Sequence, residues 1–174
     1  MVSTLRSVLD PGREWPPDEI VVSDEGALRL ESAHVDVDVE KFLDLVGQAV
    51  RLDQAGRTSE ALERWAAAET AYGGDFCEED PYADWAVGLR EQARLAYVQA
   101  AARLAEARAA EHRHDEAARY WLRLLERDRY DERAHLGLVR VLDRAGRRGD
   151  ARRRYRLYAE LMRELEVEPA PYPA

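Results

Sequence analysis

HRHDEAARYW (residues 112–121) and GRRGDARRRY (146–155) lie 34 residues apart and share one pattern. Each opens on a turn residue, His112 or Gly146. A small residue follows five positions on, Ala117 or Ala151, and a large aromatic four after that, Trp121 or Tyr155. GRTSEALERW (56–65) repeats the spacing with Gly56, Ala61 and Trp65. A turn residue, a small residue where two helices touch and an aromatic plug are what a stacked helix pair needs. A fixed period of 34 residues is the sequence mark of such stacking.

Working outward, Ala61 and Ala117 are 56 residues apart, one period plus 22. The surplus falls on and after GGDFCEEDPYADW (73–85), which reads as an insertion into a tetratricopeptide-like array. Around it the apolar residues recur with helical spacing. Phe42, Leu45, Val46, Ala49 and Val50 form one stripe, and Gly56 breaks it. Ser59 or Thr58 starts a second helix through Tyr72. A long helix is predicted from about Trp85 to Glu111, with Trp85, Leu89, Ala93, Ala96, Ala100 and Leu104 on one face. Helices at roughly 114–127, 131–145 and 148–166 follow, with Asp115, Asp131 and Asp150 near their starts, where carboxylates meet unpaired amides. Before residue 40 the texture differs. STLRSVL (3–9) reads as a short helix capped by Ser3 and ended by Asp10-Pro11-Gly12. EIVV (19–22) and ALRL (27–30) flank a turn in which Gly26 takes a positive φ. HVDVDV (34–39) alternates and reads as a strand entering a helix capped by Asp36 or Asp38. The expected fold is all-α, about three helix pairs, with a small β-containing N-terminal appendage.

The chain has 174 residues and a net charge of -9, which argues against nucleic-acid binding by the molecule as a whole. The charge is uneven. Residues 112–174 hold 15 basic and 12 acidic residues, whereas the preceding segments are acidic. One cysteine, Cys77, precludes an internal disulfide and fits a reducing compartment. No signal-peptide core or membrane-spanning run is legible, so the expected location is cytoplasmic.

The carboxylates Asp75, Glu78, Glu79, Asp80 and Asp84 invite a metal or acid-pair reading. Their spacing matches no calcium loop, and nothing suggests two carboxylates with separated environments. Asp80-Pro81 reads instead as a helix cap followed by proline at the first helical position. His112 and His114 fall at a turn without the further ligands a zinc site requires. The run RRGDARRRYR (147–156) holds six arginines. Arg147, Arg148, Arg152, Arg153 and Arg156 are the candidate surface for a partner or a DNA backbone, the alternative being a solvated helix face. Trp65, Trp85, Trp121, Tyr72 and Tyr120 read as core. No phosphate loop, nucleophile motif or metal-helix motif occurs. No catalytic, cofactor or metal residue is assigned, and no cofactor is expected.

The string AYGGDFCEEDPYADWAVGLREQARLAYVQAAARLAE (71–106) resembles the bacterial transcriptional activator domain of SARP-type (Streptomyces antibiotic regulatory protein) regulators. Tyr72, Gly74, Asp75, Phe76, Tyr82, Trp85, Arg90 and Glu91 carry the likeness, and Cys77 stands where that family usually has leucine. Among them Tyr72, Gly74, Phe76, Asp80 and Trp85 form the structural motif of the insertion. Asp128, Glu132, Gly146, Ala151, Tyr155, Leu165, Glu168 and Pro169 match the family's ending. The resemblance covers about residues 35–171. In this family the domain follows a winged helix-turn-helix. VSTLRSVLDPG resembles the end of its recognition helix, making Ser3, Thr4 and Arg6 remnants of a DNA-contacting surface, and EIVVSDEGALRL resembles the wing hairpin. The earlier helices that a winged helix requires do not precede Met1 in this sequence. The resemblance therefore divides the chain into a partial winged helix (1–39), the activator domain (40–168) and a Pro-rich tail (169–174). It implies a non-enzymatic regulatory domain that contacts RNA polymerase subunits, a regulator domain or a second copy as a homodimer. DNA recognition is implied only if a complete winged helix is supplied. The alternative is a stand-alone scaffold or adaptor that binds a peptide or protein.

Overall fold

The computed structural model describes residues 2–24, 27–31 and 36–173. The chain divides into two compact units, residues 1–41 and 42–174.

In the first unit α1 (Val2–Leu9) is followed by a short α2 (Pro17–Ile20) and two strands, β1 (Val21–Asp24) and β2 (Ala27–Leu30). The strands pair antiparallel with Val21 opposite Leu30. The expected hairpin is present, but Glu19 and Ile20 belong to α2 rather than to the strand, because Pro16 and Pro17 set a helical start. Ile20 and Val21 are buried. Ser3 lies inside α1 and does not cap it; its carbonyl accepts from the Ser7 hydroxyl at 2.8 Å. After α1 the Asp10 carboxylate accepts from the backbone N–H of Glu14 at 2.9 Å and of Trp15 at 3.0 Å, folding the chain back. The positive φ expected at Gly26 lies outside the described residues, as do residues 34 and 35 of the third strand. The rest of that strand is absent: residues 36 and 37 are irregular, and Asp38 and Val39 are already helical. Asp38 is the first helical residue rather than a cap, and its carboxylate accepts from the Val39 N–H.

Helix α3 (Asp38–Gln54) spans the division between the units. The second unit continues with α4 (Thr58–Ala71), α5 (Val87–Ala110), α6 (His114–Arg127), α7 (Glu132–Arg144) and α8 (Arg148–Glu164). From α4 onward each helix packs on the next. Helices α3 and α4 meet through Trp65, whose indole N–H donates to Asp53 at 3.0 Å, and through the Phe42 and Tyr72 rings, 5.2 Å apart. The architecture is a helical repeat array of three pairs: α3 with α4, α5 with α6, α7 with α8. Helix α5 is covered on both sides by α4 and α6. It therefore buries alanines around much of its circumference (Ala93, Ala96, Ala100, Ala101, Ala102 and Ala105) together with Tyr97 and Leu104.

The 34-residue pattern has one physical cause, visible three times. Gly56, His112 and Gly146 all adopt the left-handed conformation, with φ of 71°, 60° and 76°. In each turn the next N–H returns to the carbonyl five residues back, Arg57 to Leu52, Arg113 to Arg108 and Arg147 to Leu142, each at 2.9 Å. This is the Schellman closure of a helix C-terminus, for which glycine is the least strained residue. The residue after the turn is always an arginine at the N-cap of the second helix. It offers no side-chain cap. Instead its guanidinium reaches the carboxylate three residues on, Glu60, Glu116 or Asp150. The carboxylate sits in the first turn, where the helix dipole favours negative charge. The alanine that follows, Ala61, Ala117 or Ala151, is fully buried. Of the starts expected from carboxylates, only Asp131 caps in the simple sense, accepting from the Ala134 N–H at 2.9 Å.

The aromatic plugs fill the spaces between pairs. Trp65 and Trp121 are buried. A β-carbon at Gly137 of α7 would lie 2.5 Å from the Trp121 ring, so α7 approaches α6 at a distance only glycine permits. Tyr155, the third plug, meets the tail instead. Its hydroxyl donates to the Ala170 carbonyl at 2.8 Å, its ring packs on Tyr172 at 5.1 Å, and the Ala170 N–H donates to the Tyr158 hydroxyl at 2.8 Å. The chain reaches that position through a fourth left-handed closure, at Glu166 with φ 59° and the Val167 N–H on the Met162 carbonyl.

Candidate functional site

Two grooves of the second unit are each lined by residues of three consecutive helices. The first groove lies among α4, α5 and α6, the second among α6, α7 and α8.

In the first groove Tyr72 stacks on Tyr97 with centroids 4.3 Å apart, and the Arg127 guanidinium lies 5.7 Å over the Tyr72 ring. The Tyr72 hydroxyl donates to Asp75 at 2.6 Å, and Arg123 pairs with Glu69. Burial and the adjacent Asp75 carboxylate raise the Tyr72 hydroxyl well above the ordinary phenol range. This groove is a cavity of about 270 Å³ whose lining, with Glu69, Arg123, Glu126 and Arg127, is mostly charged.

The second groove is a cavity of about 350 Å³ lined by Ala118 and Leu122 of α6, Leu138 and Leu142 of α7, and Leu157 of α8. Leu122 and Leu157 are 43% and 42% exposed, so the apolar lining is open to solvent. Arg147, Arg153 and Arg154 stand along its wall. Arg147 and Arg153 share Asp150. Arg154 is half-buried; among the described residues it makes no ion pair and its Nε has no hydrogen-bond partner, and burial lowers its pKa. Beneath it His135 is buried. The His135 Nε2 lies 2.9 Å from the Arg129 carbonyl, to which it donates as the neutral tautomer, and Nδ1 is unpartnered. Burial pushes its pKa down, and the nearby Arg154 charge acts in the same direction.

The arginine run therefore splits. Arg148, Arg152 and Arg156 are exposed on α8. Arg147 and Arg153 are tied to Asp150, with Arg147 also 3.7 Å from Asp115. Arg154, which the sequence pattern did not single out, lines the groove as Arg147 and Arg153 do, but without their link to Asp150. Arg6 donates to the Val21 carbonyl at 2.8 Å, and Ser3 and Arg6 line a hollow in the first unit with Trp15 and Ile20, while Thr4 is exposed. Ser3, Thr4 and Arg6 do not lie with the α8 arginines in one unit.

The inserted loop is organised by one residue. Arg90 on α5 donates to four loop carbonyls: Phe76 at 2.9 Å, Asp80 at 3.0 Å, Pro81 at 3.1 Å and Cys77 at 3.3 Å. Cys77 takes a positive φ of 53° within this clamp. Asp80-Pro81 consequently lies in a turn and does not begin a helix; the helical chain starts with a 3₁₀ turn at Asp84–Ala86 that runs into α5. Trp85, expected in the core, is 73% exposed, and its ring meets that of Phe76 edge to face at 6.0 Å. Ala83 and Ala86 are the buried residues there. Phe76, Cys77 and Gly74 are half-buried, and Tyr82 is 91% exposed. Among the described residues no group of three or more His, Cys, Asp or Glu side chains is placed to hold a metal ion. The His112 and His114 rings meet edge to face at 5.9 Å.

A family model described as the bacterial transcriptional activator domain matches residues 37–172. No curated protein and no solved structure gives a significant match.

Proposed function

The chain belongs to the bacterial transcriptional activator domain family, and from that premise we propose that it acts by docking on other proteins rather than by chemistry or by autonomous DNA binding. The family is one of regulatory transcription-activator domains and not of enzymes. The observation that carries the reading is the open apolar groove on α6, α7 and α8, bordered by arginines in the basic part of the chain. A groove of this kind suits an amphipathic protein segment with carboxylates. The proposed partners are RNA polymerase subunits, a regulator domain or another copy of the chain, in the cytoplasm. No helix among the described residues is long and apolar enough to cross a membrane.

Immobilised chain should retain purified cognate RNA polymerase, and L157D should lose it while Y82S does not. Failure of polymerase to bind under low salt would sink the polymerase arm. Promoter DNA should bind weakly at most, given the net charge of -9; a tight, sequence-specific gel shift by this chain would overturn that.

A further inference from the structure

Two surfaces of the second unit carry charges that make no ion pair among the described residues. On the loop, Glu78, Glu79, Asp80 and Asp84 are exposed and none makes an ion pair among the described residues. Between them Tyr82 and Trp85 project, 91% and 73% exposed, an unusual display of two large rings. On α8, Arg148, Arg152, Arg154 and Arg156 also make no ion pair among the described residues, although Arg147 and Arg153 beside them do. Arg154 and the exposed Leu122 and Leu157 define the open groove of about 350 Å³. One surface offers carboxylates around aromatic rings; the other offers arginines around an apolar cavity.

We infer that the loop of one copy docks into the α6–α8 groove of a second copy. The inference rests on the docking role proposed above and names the occupant of that groove. An aromatic ring of the loop enters between Leu122 and Leu157, and the flanking carboxylates meet Arg154 and the exposed arginines of α8. A carboxylate there gives the half-buried Arg154 the partner it lacks, which makes leaving that cation in an apolar wall less costly. The loop is suited to the task because Arg90 already holds four of its carbonyls, so little chain entropy is lost on docking. The contact joins two different patches, so it is heterologous. A pair keeps one free groove, on the copy that gave its loop, and one free loop, on the copy that gave its groove, so association proceeds head to tail. Exposed charges on both sides make it weaken as salt is raised.

The discriminating experiment is sedimentation velocity on three proteins: the full chain, a loop variant (Y82S/W85S) and a groove variant (L157D). The substituted side chains are exposed, and thermal melts followed by circular dichroism verify that both variants fold. The unaltered chain should show an average mass that climbs with concentration at low salt and falls back at high salt. Each variant alone should stay monomeric. Mixed one to one, the two variants should form heterodimers and nothing larger, because the mixture restores one intact loop facing one intact groove. The inference is overturned if the unaltered chain stays monomeric throughout. It is equally overturned if either variant associates like the parent, or if the mixture remains monomeric. None of these outcomes depends on polymerase binding, so the docking reading stands or falls separately.

Discussion

The two grooves of the array sit in equivalent places and have opposite characters. Position 123 on α6 and position 157 on α8 are 34 residues apart, one repeat period. At the first stands Arg123, paired across the groove with Glu69; at the second stands Leu157, in a lining it shares with Ala118, Leu122, Leu138 and Leu142. The first groove is also lined by Tyr72, which stacks on Tyr97 and bonds Asp75 at the start of the insertion, an insertion the second repeat lacks. A single helix-pair plan thus yields one polar and one apolar groove, of about 270 and 350 Å³. Which is which depends on a few side chains rather than on the backbone.

That comparison can be attacked at several depths. The deepest is Gly137, which lets α7 close on Trp121 beneath the open groove. G137A should lower unfolding free energy by about 2–3 kcal/mol, the usual cost of overpacking a filled core. G88A, where an added β-carbon meets nothing within 4 Å, should be close to neutral. Urea denaturation of both variants measures the contrast. If G137A leaves stability unchanged, the close approach is not holding the second groove in shape.

Next comes pH. Neutral His135 lies under the open groove, facing Arg154, Asp128, Asp131 and Tyr158. Its folded pKa is lowered, so the unfolded chain takes up the proton first as pH falls. Its contribution is complete above about pH 6.5 and is lost below that, at about 1.4 kcal/mol per pH unit until the folded pKa is reached. Melting of the chain and of H135Q between pH 7 and 5 tests this; H135Q should show a flatter slope. Tyr158, pushed up to about 12 by burial and by its bond to Glu132, adds no titration in that window.

Smaller effects come from the turns. G146A should cost about 1 kcal/mol because the left-handed closure disfavours a β-carbon, and H112G should gain roughly 0.5–1 kcal/mol at the corresponding turn. The smallest concerns the polar groove itself. R123L removes an ion pair and should change stability by less than about 1 kcal/mol, yet it should give the first groove the character of the second. Increased binding of an apolar fluorescent dye would register that change, and its absence would show that Glu69, Glu126 and Arg127 suffice to keep the groove polar.

Much of the array was legible in the sequence because the helix-pair period and the buried alanines are local consequences of helical geometry. Gly56, Ala61 and Trp65, with their two recurrences, located every turn inside a pair. The errors cluster where one distant side chain decides the outcome. Asp80-Pro81 has the form of a helix start, but Arg90, ten residues on from Asp80, draws the carbonyls around it into a turn. Trp85 lies on an extrapolated apolar stripe, yet the first turn there is 3₁₀, which rotates the ring outward and leaves Ala83 and Ala86 inside. The arginine–carboxylate pairs at 57 and 60, 113 and 116, and 147 and 150 were visible in principle, since they recur in the same register as the alanines. The open groove was not, because it depends on which of two equivalent positions carries a leucine once three helices are assembled. The same holds for Arg154, one of six arginines in its run and unremarkable until its neighbours are in place.

The tail of residues 165–173 bears on how such a molecule can change in length. Trp65 and Trp121 each present a ring that the next helix pair covers, but Tyr155 presents its ring to Ala170 and Tyr172. A duplicated 34-residue unit spliced between α6 and α7 would find matching surfaces at both of its ends. The same unit spliced after α8 would first have to strip the tail from Tyr155 and Tyr158. Gene duplication can therefore lengthen this protein from within far more readily than from its end.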